Sequence, residues 1–131
     1  MTFKVSILII SAFAAITASP ALAAETGQSL YNDNCAACHQ KSGLGIKGAF
    51  PALAGDKVVQ SPPATAAIVL LNGRGGMPAF KSDLTDAQLA AVLTYIRTSW
   101  GNKAGAASVA DIAAARKKTS AVAKPKSLTA H

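Results

Sequence analysis

Residues 35–39 read CAACH and hold both cysteines of the chain, followed directly by one of its two histidines. Three kinds of site use thiols and an imidazole at this spacing. Two cysteines separated by two residues can form a redox-active dithiol, or they can supply half of a zinc site. The same pair followed by histidine can bind haem covalently through two thioethers. The rest of the sequence has to distinguish these alternatives.

A zinc site is disfavoured by the number of available ligands. Zinc takes about four Cys, His or carboxylate ligands in a structural site. Beside Cys35, Cys38 and His39, the sequence offers one further histidine, His131, at the end of a segment that nothing anchors. Cys38 and His39 are also adjacent, and neighbouring residues do not readily bind one tetrahedral ion together.

A redox dithiol is disfavoured by the pattern around it, because such a site follows a strand in a βαβ unit and no segment alternates like a strand. A local disulfide would leave His39 unexplained. Haem attachment accounts for all three residues. Cys35 and Cys38 would add to the vinyl groups, and His39 would then face the iron as its proximal ligand.

Met77 is the candidate for the second axial ligand. It lies in NGRGGMPAF, residues 72–80, between glycines and a proline. A lone methionine usually fills a core, but a glycine-rich loop is an unusual place for that role. Pro78 restricts the backbone directly after it, which limits the positions of the thioether. We therefore expect axial ligation by Met77, with core packing as the alternative.

Residues 1–23 have the form of a secretory signal. Lys4 precedes an apolar run from Val5 to Ile16, and small residues follow at Ala21 and Ala23. The run is shorter than the roughly 20 residues that a membrane span requires. We predict cleavage after Ala23 and a periplasmic protein with no transmembrane segment in its mature form. An uncleaved membrane anchor is the alternative.

The remaining chain is expected to form one domain, residues 24–118, and a basic disordered tail, residues 119–131. The formal net charge is +7, yet acids and bases balance between Glu25 and Ile96. From Arg97 onward seven basic residues stand against one acid, Asp111. An exported chain with few aromatics and no recognition motif is a poor candidate for nucleic-acid binding. An acidic partner protein or an anionic membrane surface fits the charge better.

The pattern of the domain predicts an all-α fold with four or five short helices. Thr26 can cap a helix over residues 27–39, with Leu30 and Tyr31 inward. Ser61 can cap a second helix that has Pro62 in its first turn. Thr85 and Gln88 form a capping box before the inward residues Leu89, Val92, Leu93 and Ile96. Ser108 and Asp111 can cap a last helix through Arg116, with Val109 and Ile112 inward.

Two long glycine-rich loops leave little apolar surface to bury, so a large bound cofactor would complete the core.

The order of four motifs resembles the bacterial class I c-type cytochromes. The motifs are CAACH, then FPALAG, NGRGGMPAF and LTDAQLAAVLTYIRTSWGN. They are especially similar to monohaem domains in the cytochrome subunits of membrane dehydrogenases and related respiratory complexes. The resemblance covers roughly residues 26–118. It implies a small helical cytochrome c fold around one haem c, bound through Cys35 and Cys38, with His39 and Met77 as axial ligands.

This resemblance implies a one-electron carrier or an electron-transfer subunit that catalyses no bond chemistry itself. The expected partners are a dehydrogenase or a terminal oxidase or reductase with an acidic docking surface, and the protein would be a monomer or a subunit of a complex. The alternative is a ligand-binding haem protein, a gas sensor or weak peroxidase in which Met77 is displaced. Family analogy also places a carbonyl near Pro51 as the acceptor for the ring N–H of His39. Further candidates for haem contacts are Asn72, Arg74, Phe50, Phe80, Leu89, Tyr95 and Trp100.

Overall fold

The computed structural model describes residues 25–122, and this part of the chain is helical with two isolated β-bridges and no strand. The expected all-α fold is confirmed. The predicted signal, residues 1–23, and the tail from residue 123 onward lie outside the described residues. Residues 25–122 form six helices, where four or five were expected: α1 Gly27–Asn34, α2 Ala36–His39, α3 Lys57–Gln60, α4 Pro63–Asn72, α5 Asp86–Thr98 and α6 Val109–Val122.

Helix α1 packs against α5, and this pair carries much of the core. Thr26 caps α1 as predicted, because its Oγ1 accepts from the backbone N–H of Ser29 at 3.1 Å. Leu30 and Tyr31 are buried, also as predicted. The two helices are in close contact at Gly27, where a β-carbon would overlap the carbonyl oxygen of Ala91. A glycine is therefore required at this contact.

The expected single helix over residues 27–39 is interrupted at Cys35. Cys35 has φ −124° and ψ −34°, outside the helical range, and α2 begins at the next residue. Helix α2 is a single turn that ends where Gln40 adopts φ 63°. The interruption shifts the direction of the chain within the CAACH segment, which periodicity alone does not reveal.

Helix α5 agrees best with the sequence analysis. The capping box is present, since Gln88 N–H donates to Thr85 Oγ1 at 3.2 Å and Thr85 N–H donates to the Gln88 side chain at 2.9 Å. Its inward stripe is buried as predicted, with Leu89, Val92, Leu93 and Ile96 each less than 5% exposed. Such reciprocal capping satisfies N–H groups that the helix itself leaves without partners.

The start of the second predicted helix differs from the structure by one residue. Helix α4 begins at Pro63 with Pro62 as its N-cap, and Ser61 instead donates its hydroxyl to the carbonyl of Val58. Ser61 is the C-cap of α3, a single turn that the sequence analysis did not predict. The Asp56 carboxylate caps α3 by accepting from two backbone N–H groups.

Helix α6 is longer than expected, because it continues past Arg116 and Lys118 to Val122. Its alanine-rich sequence has a high helix propensity. Ser108 and Asp111 cap it reciprocally and Ile112 is fully buried, both as predicted. The expected inward position of Val109 is wrong, since Val109 is 51% exposed in the first turn.

Helix α6 packs on α4 and α5, and an ion pair between Arg116 and Asp86, 2.8 Å apart, joins it to the start of α5. Arg116 also donates to the carbonyl of Lys81. Over residues 25–122, every helix is too short or too polar to cross a bilayer.

Candidate functional site

A cavity of about 290 Å³ lies between the helices and the two glycine-rich loops. This volume is near the lower end of the roughly 300–1,000 Å³ typical of ligand pockets. Its wall is mainly apolar and includes Leu53, Val59, Leu70, Phe80, Leu93 and Ile96. The four residues predicted from the sequence, Cys35, Cys38, His39 and Met77, all line this one cavity. The fold thus brings together residues that lie more than a third of the domain apart in sequence.

The two cysteines are free thiols at one side of the cavity, and they do not form a disulfide. Cys35 is buried and Cys38 is half-buried. Burial raises the pKa of the Cys35 thiol to about 11, with a smaller contribution from the nearby Cys38. Redox-active cysteines instead have a lowered pKa, because the thiolate is the reactive form. The environment of Cys35 therefore does not favour the dithiol alternative.

His39 is buried and its ring is oriented by a hydrogen bond to the backbone. Its Nδ1 lies 2.9 Å from the carbonyl oxygen of Pro51, which confirms the contact expected from family analogy. Because a carbonyl oxygen only accepts, Nδ1 must carry the proton and donate it. In the neutral imidazole, this tautomer leaves the lone pair of the other ring nitrogen, Nε2, available for a metal.

The loop that carries Pro51 is itself held by backbone hydrogen bonds. Ile46 and Phe50 exchange two of them, Ile46 N–H to Phe50 O at 2.9 Å and Phe50 N–H to Ile46 O at 2.8 Å. The Gly45 N–H donates to the carbonyl of His39 at 3.0 Å. The acceptor of the His39 proton therefore has a defined position relative to the CAACH segment.

Met77 lies in a tight loop that begins at the end of α4. The Met77 N–H donates to the carbonyl of Arg74 at 3.0 Å, and the Phe80 N–H donates to the carbonyl of Leu70 at 2.9 Å. Gly73 has φ 69°, and a β-carbon there would overlap the carbonyl oxygen of Met77. The loop can therefore close only with glycine at this position, and the closure presents the half-buried Met77 to the cavity.

The residues that line this cavity fit covalently bound haem c. Two thiols stand at the spacing that thioether formation requires, and an imidazole held through its Nδ1 has its Nε2 left to bind a metal. A thioether side chain lines the same cavity, and the surrounding wall is apolar. Thiol, imidazole and thioether groups within an apolar wall form the donor set of a c-type haem site.

Comparison with protein families agrees with this donor set. A family model described as cytochrome c oxidase, cbb3-type, subunit III matches residues 22–96, more than half of the chain. The chain belongs to this family of c-type cytochromes. Its cofactor is accordingly haem c, bound covalently, as the sequence predicted.

Curated relatives of this cytochrome include both large subunits and small cytochromes. It is 37% identical to the cytochrome c subunit of alcohol dehydrogenase (quinone) from Gluconobacter oxydans, over 66% of this chain and 21% of the relative. It is 39% identical to the gluconate 2-dehydrogenase cytochrome c subunit of Pantoea cypripedii, over 71% and 24% respectively. For cytochrome c6 of Leptolyngbya boryana the identity is 39%, over 56% of this chain and 88% of the relative. The chain thus spans about a fifth to a quarter of the dehydrogenase subunits.

The other candidate haem contacts of this cytochrome divide into two groups. Arg74, Phe50 and Phe80 line the cavity. Leu89, Tyr95 and Trp100 do not appear in its wall, and Asn72 is exposed. Tyr95 and Trp100 instead pack with Tyr31, with ring centroids 5.0 to 5.6 Å apart. This aromatic cluster belongs to the contact between α1 and α5.

Sequence reasoning missed Asn102, a buried amide that makes four hydrogen bonds. Its Oδ1 accepts from Gly55 N–H and from the Gln60 side chain, both at 2.8 Å. Its Nδ2 donates to the carbonyls of Leu53 at 3.0 Å and Ile96 at 2.9 Å. Asn102 therefore ties the end of α5 to the segment that follows Pro51. Asparagine is common in the segments that follow helices, so neither the residue type nor the position of Asn102 indicated this role.

Sequence reasoning also missed the role of Arg97, which is 3% exposed. A signal was available, because Arg97 follows Leu93 by four residues and so lies on the buried stripe of α5. An arginine in an apolar stripe indicates a buried cation with specific partners.

Proposed function

We propose that this cytochrome is a one-electron carrier, or the electron-transfer subunit of an oxidoreductase complex. In this proposal Cys35 and Cys38 bind the haem covalently, and His39 and Met77 are the two axial ligands of its iron. The observation that carries it is the 2.9 Å contact of His39 Nδ1 with the Pro51 carbonyl oxygen, in the cavity that Met77 also lines. When bound, haem c supplies an iron that exchanges single electrons.

The protein residues would restrict that chemistry to electron exchange. The Pro51 carbonyl holds the tautomer of His39 and increases the basicity of its Nε2. Met77 would occupy the remaining axial position, which leaves no site for a substrate or a gas. A neutral thioether ligand also favours a higher reduction potential than an anionic ligand does. The apolar wall excludes water, so fewer surrounding dipoles would have to reorient when the charge of the haem changes.

The partner surface in this proposal is the loop beside the cavity. Leu44, Ile46 and Phe50 are 65%, 43% and 39% exposed, and Phe50 also lines the cavity. Lys41 and Lys47 are exposed in the same loop. An apolar patch with nearby lysines suits an acidic redox partner, and dehydrogenases and terminal oxidases or reductases are the partner classes we propose. Association should slow as ionic strength rises, because salt screens the steering charges.

We further propose a periplasmic location after removal of residues 1–23. The CAACH segment and the signal-like residues 1–23 are both consistent with a haem protein that is exported to the periplasm. N-terminal sequencing or intact mass of the exported protein tests the cleavage, and a mature chain that starts at Ala24 is expected. A retained segment would replace this proposal with a membrane-anchored form.

Absorption spectra in the oxidised, reduced, and carbon-monoxide-treated reduced states test the central proposal. The protein is produced by export together with a haem-attachment system. The expected result is a low-spin c-type spectrum, a weak iron–thioether band when oxidised, and no shift with carbon monoxide. A high-spin spectrum or ready carbon monoxide binding would remove Met77 as a ligand and favour a sensor or peroxidase.

A further inference from the structure

Arg97 is a buried cation whose hydrogen-bond partners in the described chain are backbone carbonyls. Its Nε donates to Gly105 O at 3.0 Å. Its Nη1 donates to Val59 O at 2.7 Å and to Ser61 O at 2.6 Å, and its Nη2 donates to Ala104 O. Within residues 25–122, the ion pair present is that of Arg116 with Asp86, and Arg97 takes no part in it. Its charge is therefore solvated by peptide dipoles and not neutralised by a carboxylate.

The guanidinium lies directly behind the cavity wall. Val59, which accepts from Nη1, and Ile96, the preceding residue on α5, both line the cavity. The wall residue Asp56 uses its carboxylate to cap α3. Asp111 is electrostatically coupled to Arg97, but its carboxylate is hydrogen-bonded to Ser108 at the protein surface. The cation is thus bonded to the backbone of one residue of the cavity wall, Val59.

We propose that Arg97 tunes the reduction potential of the bound haem upward. Reduction adds one negative charge inside the cavity, and a nearby buried cation favours that state over the oxidised one. The surrounding medium is apolar, so the interaction is screened much less than at the surface. The carbonyl dipoles reduce the field of the guanidinium but leave its net charge in place. This inference rests on the proposed electron-transfer function.

Spectroelectrochemical titration of three variants separates the charge of Arg97 from its packing. Arg97→Gln removes the charge and is expected to lower the potential. Arg97→Lys keeps the charge with fewer hydrogen bonds and is expected to stay close to the wild type. Arg116→Gln is the matched control, because it removes a half-buried arginine that already has a carboxylate partner and does not line the cavity, and it is expected to leave the potential unchanged.

An unchanged potential in Arg97→Gln would overturn the proposal, as would equal shifts in Arg97→Gln and Arg97→Lys, which would indicate packing alone. If Arg97→Gln does not fold, the potential of Arg97→Lys is followed to alkaline pH, where the introduced amine loses its charge. A fall beyond that of the wild type supports the proposal, and identical pH dependence contradicts it. Failure of the proposed function is distinguishable, because it would appear in the wild type as a spectrum without low-spin iron.

Discussion

The Nδ1 atom of His39 lies 2.9 Å from the carbonyl oxygen of Pro51, and the carbonyl of Leu53, two residues later, accepts from the Asn102 side chain at 3.0 Å. The segment that positions the imidazole is therefore itself held by a hydrogen bond from Asn102. Asn102 lies four residues beyond the end of α5, so the orientation of His39 depends on a residue more than sixty positions away. Substitution of Asn102 therefore tests whether this residue stabilises the segment that positions His39.

Asn102→Ala should lower the free energy of unfolding by about 2–4 kcal/mol. The substitution removes four hydrogen bonds, so the N–H of Gly55 and the carbonyl of Ile96 lose the Asn102 side chain as partner, and the carbonyl of Leu53 keeps only the longer bond from the Asp56 N–H at 3.4 Å. Denaturant titration of the haem-loaded protein measures the change. Asn72→Ala is the matched control, since Asn72 is exposed and its loss should change stability by less than about 0.5 kcal/mol. Equal effects of the two substitutions would contradict the bridging role of Asn102.

Gly73→Ala should disturb the Met77 loop. An added β-carbon meets the Met77 carbonyl oxygen, and alanine disfavours the φ of 69° at this position. We expect a weaker iron–thioether band and increased carbon monoxide binding in the reduced protein. Gly75→Ala is the control in the same loop, because it also places alanine at a positive φ, 57°, but its β-carbon meets no atom within 4 Å and Gly75 does not line the cavity. If both variants keep the wild-type spectrum, the close contact at Gly73 does not position Met77.

Replacement of both cysteines, Cys35→Ser and Cys38→Ser together, should abolish covalent haem binding. The wild type should retain haem after denaturing electrophoresis, and the double variant should release it. Each single variant should keep one thioether and show a shifted haemochrome spectrum. Ala37→Ser changes the exposed residue between them and should retain the wild-type behaviour. Haem that stays on the denatured double variant would show attachment elsewhere.

Stability should fall as the pH rises from about 10 to about 12, with Tyr31 as one cause. Burial raises the pKa of Tyr31 to about 12, and its hydroxyl donates to the carbonyl of Gln40 at 2.7 Å. A tyrosine in the unfolded chain titrates near 10. Between these values the folded state binds more protons than the unfolded state, so increasing pH favours unfolding.

Denaturant titrations at pH 9 and pH 11 measure this dependence in the wild type and in two variants. Tyr31→Phe should show a smaller loss of stability between the two pH values than the wild type. Tyr95→Phe leaves Tyr31 and its burial in place and removes only the smallest contribution to the raised pKa of Tyr31, so it should stay closer to the wild-type difference than Tyr31→Phe does. A Tyr31→Phe protein with the same pH dependence as the wild type would exclude Tyr31 as a source of it.

The sequence predicted those parts of the fold that depend on local interactions. The Thr85–Gln88 capping box and the buried stripe of α5 involve residues three and four apart, and both were correct. The break at Cys35 was not predictable, because helical spacing continues through it and tertiary contacts decide the backbone there. The four candidate ligands were identified by residue type and spacing alone, but their common cavity required the folded chain.

The partners of Arg97 and Asn102 were not predictable for a related reason. Both side chains bind mostly backbone groups, and a backbone N–H or carbonyl has no residue type that a sequence pattern can reveal. Arg97 reaches back to Val59 and Ser61, and Asn102 reaches back to Leu53 and Gly55. Such contacts between distant segments depend on the loop paths, which the order of motifs leaves undetermined.

The residues that line the cavity all lie between Asn34 and Ile96, whereas α6 begins at Val109 and packs on α4 and α5 outside the wall. Substitutions on the exposed face of α6 can therefore change charge, solubility or attachment to a surface without altering the ligand environment. A protein immobilised on an electrode through α6 would keep its cavity walls intact. The same arrangement lets natural sequences vary what this cytochrome is joined to independently of how readily it takes up an electron.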